Sequence, residues 1–438
     1  MAERVAKNLR RDAVAVAGLA ALSVLVFGSA ARYPLLADDY HYLQVAQTPG
    51  WWHAGLIWNL GGQPINHLFR PVLFLWFGLV HAVFGLHPLP IHITTGFVVL
   101  AAGVLTGLIA RRLGLTAGAY AAAAIYGLHA SMATPIAWTS AVNSPIATTL
   151  ALAALYCMLR RRLRAVDVGA ACALFLVGLM TREVVAVTPV VLVGARYLIE
   201  TAQPWRSRLR RSLAVSSPLW FIAIGYATAR RLAGFHSTSG PYQQRLTSHA
   251  FRNFGQLMEY ASEFGYSRHM GVLVTVFWTV LLGLCGFVAW RCRRYQALLG
   301  AGWALLGVLP VIFLAVHHME YYYVDFALPG VALAIGAVFE CAFDATPGRS
   351  RAPLAVACLA ALVAVNSYTA GREVHAYLGA SAAQTRRVIA QVRRAHPHPA
   401  PGSTILLPIS STAAGFEDFP DVIRVIYDDP TLQVAYSG

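Results

Sequence analysis

The chain has 438 residues, 57% of them hydrophobic and 12% charged, with a formal net charge of +15. Its apolar residues come in runs long enough to cross a bilayer repeatedly, which excludes an ordinary soluble domain and predicts an all-α polytopic membrane protein. The positive charge does not indicate nucleic acid, because the basic residues form short clusters between apolar runs, as cytoplasmic loop anchors do.

The basic start, with Arg4, Lys7, Arg10 and Arg11, is expected to stay in the cytoplasm. A first span over about 13–31 is retained, since it lacks a small-residue cleavage site. It delivers Asp38 and Asp39 to the outside, at the start of a first outer loop over about 32–87. Trp51, Trp52 and Trp58 in that loop prefer the headgroup level. Arg70-Pro71 opens an apolar stretch to about Gly85, too short to cross, which is expected to lie in the interface. If the second span covers about 88–110, Arg111-Arg112 land inside, and the remaining clusters follow. Spans over about 114–130, 166–180, 213–231, 270–290, 297–316 and 353–370, with three more between them, give eleven crossings. Arg160–Arg164, Arg196–Arg211, Arg291–Arg294 and Arg349–Arg351 then fall inside; Arg230-Arg231, at an outer end, is the exception.

Two domains are expected: a transmembrane domain over 1–370 and a small extracytoplasmic α/β segment over 371–438. In the latter a helix bears Arg386 to Arg394, and Ile405–Pro408, Val422–Tyr427 and Leu432–Tyr436 read as short strands. The six cysteines lie in or beside spans without CxxC spacing, so neither a disulfide framework nor a zinc site is indicated.

This topology gathers a set of polar residues on one side: Asp38, Asp39, His41, His67, Arg70, His92, His129, Trp138, Asn143, Arg182, Glu183, His317, His318, Glu320, Tyr321, Tyr322, Tyr323 and Asp325. Acids, imidazoles and arginines facing one compartment suit an anionic lipid substrate and general-base chemistry. Arg182-Glu183 is also what a local ion pair closing a turn would look like. His317-His318 with Glu320 lacks HExxH spacing, so no metal is assigned.

In order along the chain, these residues resemble the C-type membrane glycosyltransferases (GT-C fold), in particular bacterial relatives of the protein O-mannosyltransferases and the lipid A aminoarabinose transferases. The acidic pair after the first span resembles the family's first-loop signature. Arg70-Pro71 through Phe84-Gly85 to His92 is similar to its RP…FG…H pattern. His129 through Ala137-Trp138-Thr139-Ser140 to Asn143 resembles HP…AVAWISGRN, and Thr181-Arg182-Glu183 to Pro189 resembles sKE…P. Glu320-Tyr321-Tyr322 is a weaker echo of ERY, with Tyr321 where the family has Arg.

The resemblance implies an enzyme that moves a sugar, by inversion, from a polyprenyl-phosphate donor to an acceptor hydroxyl on the extracytoplasmic side of a bacterial inner membrane. Asp38 and Asp39 are the catalytic candidates. Arg182, Glu183, Arg70, His92, His129, Trp138, Asn143, His318, Glu320 and Tyr322 are candidates for binding the lipid phosphate or the sugar. The sequence shows no DxD, P-loop or GxGxxG, so the activated sugar has to arrive on a lipid. Membrane lipids and an acceptor glycan, lipid or protein are the expected partners. Adjacent residues diverge by roughly 100° on a helix, so only one Asp can serve as base, and Asp38 is favoured by the family pattern. A lipid or glycan flippase, or a non-catalytic assembly partner with the same fold, is the alternative.

Overall fold

A computed structural model of the chain describes residues 2–36, 38–48, 50, 69–200, 203–233, 245, 247–262, 271–314, 319–408 and 419–437. Every stretch expected to span contains a helix: Ala2–Phe27, Pro88–Arg112, Ala117–Gly127, Asn143–Met158, Ala165–Thr181, Thr188–Ile199, Trp205–Leu232, Gly271–Arg291, Gln296–Ile312, Leu328–Ala345 and the first half of Gly348–Ala395. Among the described residues, six helices are long and apolar enough to cross a membrane. The chain is a multi-pass membrane protein. Ala117–Gly127 and Thr188–Ile199 have only 11 and 12 residues, short of the ~20 that a straight crossing needs. Each is extended at the same end of the bundle by 3-10 turns, over Ala130–Met132 and Glu183–Val187.

Small residues let the helices approach closely where lipid supplies no hydrophobic drive. A Cβ on Gly300 would lie 2.5 Å from the backbone nitrogen of Ala334, and one on Gly307 2.6 Å from Cα of Ala327. The Gln296–Ile312 and Leu328–Ala345 helices are therefore in backbone contact, which fixes the short turn Tyr321–Val324 above them.

Helix direction sorts the charges into two ends. Arg111, Arg160, Arg196, Arg294 and Asp344 mark one, the arginine-rich end; Asp38, His129, Asn143, Arg182 and Asp325 mark the other, the acidic end. The short helix Pro71–Phe84 packs against Asp38–Gln47 and does not join the crossing helices as an equal: Leu73, Phe77 and Val80 are buried while Leu79 and Val83 are exposed.

The C-terminal region departs from expectation in two ways. Gly348–Ala395 is one unbroken helix of 48 residues that runs through the boundary expected at 370–371. At 1.5 Å per residue it is about 72 Å long, more than twice the ~30 Å hydrocarbon core, so its second half projects beyond the bundle. The segment Val422–Tyr427, expected as a strand, lies in the helix Phe419–Tyr427. Its apolar residues Phe419, Val422, Ile423 and Ile426 repeat with helical spacing, and that period outweighs the β-branched composition. Thr404–Pro408 and Gln433–Ser437 are strands, paired in parallel with this helix between them. At the arginine-rich end Cys292 and Cys341 are joined by a disulfide, which the cysteine spacing did not indicate.

Candidate active site

Leu35 and Leu36 anchor in the core, and the chain then enters the helix Asp38–Gln47 with both acids in its first turn, where the helix dipole favours negative charge. The divergence of adjacent side chains gives the two carboxylates opposite surroundings. Asp39 is fully buried: Oδ2 accepts from the Leu36 N–H at 2.9 Å, and Oδ1 from the Ser140 N–H at 2.6 Å and the Ser140 hydroxyl at 2.7 Å. Burial pushes its pKa up to about 7 against the pull of those hydrogen bonds. Asp38 is exposed. Asp39 thus ties the start of the acidic helix to the segment 138–143, and Asp38 presents the solvent-facing carboxylate.

Arg182 and Glu183 do not pair with each other. The extended backbone at Arg182 ends the Ala165–Thr181 helix and sends the two side chains apart. Glu183 pairs with Arg230 at 3.0 Å. Burial opposes its ionisation, yet Arg230 and Arg70 hold its pKa down to about 2. This accounts for the basic residue at the wrong end of its span: Arg230 answers Glu183 and is not a topology anchor. Arg70 precedes Pro71–Phe84 and faces the same cluster beside Tyr226.

Arg182 is buried, 5% exposed, and its Nη1 donates to the Ser144 hydroxyl at 2.5 Å. Its guanidinium lies 5.0 Å from the ring centroid of Tyr322 and 4.5 Å from that of Tyr323, a cation–π arrangement that leaves its hydrogen-bonding plane oriented by Ser144. Glu320 and Asp325 flank it electrostatically, and Asp325 accepts a hydrogen bond from the Tyr126 hydroxyl. Burial pushes the Glu320 carboxyl up to about 7, opposed by Tyr377 and by Arg182.

The other expected residues divide between scaffold and site. His92 is buried, with Nε2 3.2 Å from the Tyr33 carbonyl and Nδ1 3.3 Å from the Thr139 hydroxyl, and so braces the loop before Asp38 against the segment after Trp138. His129 caps the turn Ala130–Met132, accepting from the Ser131 N–H at 3.3 Å. Trp138 meets Tyr322 edge-on at 6.1 Å. Among the described residues its indole nitrogen and the Oδ1 of buried Asn143 are enclosed without a hydrogen-bond partner, an arrangement that costs about 1–3 kcal/mol per group and calls for a ligand or water. His318, with His317 and His67, lies outside the described residues, as do Trp51, Trp52 and Trp58. Among the described residues no three His, Cys, Asp or Glu side chains converge as a metal site would require.

Several contributors escaped the sequence reading. Glu373 accepts from the Thr134 hydroxyl at 2.5 Å, Asn366 accepts from the Ala130 N–H at 2.6 Å, and Tyr377 lies against Glu320. All three sit on the Gly348–Ala395 helix, which the sequence divides into a span and a separate tail helix. Glu373 and Tyr377, four apart on one face, were the available signal.

No family model matches the chain, and no curated protein matches it by sequence. Solved structures do match. ArnT from Cupriavidus metallidurans in the apo state aligns over 96% of this chain and 85% of its own, at 14% identity and TM-score 0.53. The same protein bound to undecaprenyl phosphate aligns over 97% and 86%, at 15% identity and TM-score 0.54. The Archaeoglobus fulgidus oligosaccharyltransferase, in complex with Zn and sulfate, aligns over 96% of this chain and 62% of its own, at 11% identity and TM-score 0.50. The fold is that of the C-type membrane glycosyltransferases.

Proposed function

We propose that the protein is a glycosyltransferase that moves a sugar from a polyprenyl-phosphate donor to an acceptor hydroxyl on the extracytoplasmic face of the membrane. The observation that carries this reading is that one end of the apolar bundle holds both an exposed carboxylate, on a helix tied down through its neighbour Asp39, and a buried arginine. A fold shared with ArnT, which has been captured with undecaprenyl phosphate, supports a lipid-linked donor.

In this reading the acidic end faces outward, with the residues after about 370 on the same side, and the arginine-rich end faces the cytoplasm. Asp38 takes the proton from the acceptor hydroxyl as that oxygen attacks the anomeric carbon. The bond from the anomeric carbon to the phosphate oxygen breaks with its electron pair leaving on the phosphate, and the sugar inverts. Arg182, held flat by Ser144, Tyr322 and Tyr323, meets the charge that develops on the departing phosphate, with Arg70 as a second cation. Glu320 beside Arg182, largely protonated below about pH 7, does not compete with the phosphate for that guanidinium. Trp138 Nε1 and Asn143 Oδ1 supply a donor and an acceptor for sugar hydroxyls.

The test is transfer from a labelled polyprenyl-phosphate sugar by the full-length protein in lipid, beside Asp38→Asn. Wild-type transfer abolished by the substitution supports the reading. Movement of donor across the bilayer without transfer would establish a flippase instead.

A further inference from the structure

The C-terminal unit reads from sequence as an appendage, but it shares a hydrophobic core with the acidic helix. Tyr40 and Leu43 of the acidic helix pack in one cluster with Val388, Phe419, Val422 and Ile423. Two polar contacts give this cluster a direction. Asp421, 5% exposed, places Oδ2 2.9 Å from Nδ1 of His41, and its other oxygen lies 3.4 Å from Nη1 of Arg424 on its own helix. Gln47 Nε2 donates to the Val425 carbonyl at 3.1 Å. The helix Phe419–Tyr427 is therefore fastened to both ends of Asp38–Gln47.

His41 and Asp38 are three residues apart and share a helix face, so the Asp421 contact falls within one turn of the exposed carboxylate. Asp39 holds the start of this helix from the opposite side, through Ser140. Between them the two contacts oppose rotation of the helix about its axis, the motion that would re-aim Asp38. A hydrogen bond between a carboxylate and an imidazole, with the carboxylate buried and also paired to Arg424, is among the stronger of its kind.

We propose that Asp421 is a positioning residue: acting through His41, the C-terminal helix Phe419–Tyr427 sets the orientation of the acidic helix and with it the aim of Asp38. This rests on the glycosyltransferase reading for its catalytic consequence and stands apart from it for its structural one.

Both sides are testable in the full-length protein, using Asp421→Ala, His41→Ala and the double variant. Hydrogen–deuterium exchange needs no activity. In Asp421→Ala, amides of 38–47 should exchange faster, with those of 183–187 at the wild-type rate. Unchanged exchange over 38–47, or a rise across both segments, overturns the proposal. In the transfer assay each single variant should lose about tenfold in kcat, as a slightly misplaced catalytic group does, with the affinity for undecaprenyl phosphate unchanged. The double variant should be no worse than the worse single one, because both remove the same contact. Effects that multiply, a kcat within twofold of wild type, or a parallel loss of phosphate affinity overturn it. If the wild-type protein transfers no sugar, the glycosyltransferase reading fails while the exchange result still decides the clamp.

Discussion

The two ends of the bundle treat charge differently. At the arginine-rich end charges stay near water or are matched within the protein. Arg111 meets Asp12 through side chains 38% and 36% exposed, and Arg294 meets Asp344. Buried acids there have dedicated partners: Glu200 has Arg196, Asp167 has Arg160, and Glu340 accepts from the N–H groups of Thr116 and Gly118 at a helix start. At the acidic end Glu320 and Asp325 are buried beside one buried arginine, Arg182, while Asp39 is buried on hydrogen bonds from Leu36 and Ser140. Burying carboxylates is expensive unless each is matched by a cation, and burial accordingly pushes Asp39 and Glu320 up to about 7. The first end keeps its charges wet or paired; the second keeps several carboxyls buried, and the glycosyltransferase reading draws on that difference.

The largest break of this contrast comes from Asp38. Asp38→Asn removes the carboxylate proposed as the base and should lower transfer about 10²–10⁴-fold while leaving the fold intact. Asp39→Asn keeps an acceptor for one of the Ser140 bonds and removes only a carboxylate already pushed to about pKa 7. Its cost should appear first in thermal stability and less in the chemistry. Equal losses of kcat from both substitutions, without a stability difference, would refute this division of labour.

Arg182→Ala should come next, with about a 10²-fold loss in transfer, the usual cost of removing one charge-stabilising donor. Arg182→Lys should recover little, since an ammonium cannot reproduce a plane set by Ser144 and stacked over two tyrosines. Arg161→Ala, in the exposed cluster at the arginine-rich end, is the matched control and should leave transfer unchanged.

How far these residues could be read in advance follows from what carries each. Arg182 and Glu183 were legible because two opposite charges interrupt apolar sequence. Their separate destinations were not, since these depend on the extended backbone at Arg182 and on Arg230 arriving from a helix some fifty residues on. Tyr126 lies inside an apolar run, and only the fold shows that its hydroxyl serves Asp325. Glu373 and Tyr377 were hidden because hydropathy ends a helix where lipid ends, whereas Gly348–Ala395 continues past that point on hydrogen bonds and packing. The helix Phe419–Tyr427 misled through β-branched composition, with its helical apolar period overlooked.

A smaller effect sharpens the contrast through pH. A polyprenyl-phosphate sugar is a phosphodiester, with one negative charge that does not titrate near neutrality. Glu320, with its pKa at about 7, is neutral below that value and negative above it. Donor affinity should therefore fall as pH rises through about 7, by a few-fold, as repulsion near Arg182 grows. Glu320→Gln should flatten that limb and leave affinity at pH 6 close to wild type. Titrating donor binding from pH 5.5 to 8.5 checks both, and a limb that survives in Glu320→Gln assigns it to another group.

The smallest effect concerns Glu183 and Arg230, the matched pair at the unmatched end. Here the pKa falls from the ordinary 4.5 to about 2, so the folded state binds fewer protons than the unfolded state between those values. The contribution of the pair is fully present above about pH 4.5 and is lost as pH falls through about 2. The Glu183 side chain is only partly buried, 36% exposed, so water screens the pair and keeps the effect modest. The unfolding midpoints of wild type and Glu183→Gln should differ above pH 4.5 and converge towards pH 2. At the other end Asp344→Asn, which breaks a pair whose acid is 56% exposed, should change the midpoint little at any pH. A Glu183→Gln difference that is constant from pH 7 to pH 3 would mean that packing, and not the Arg230 charge, holds this residue. It would also leave Arg230 as an unexplained cation at the wrong end of its span.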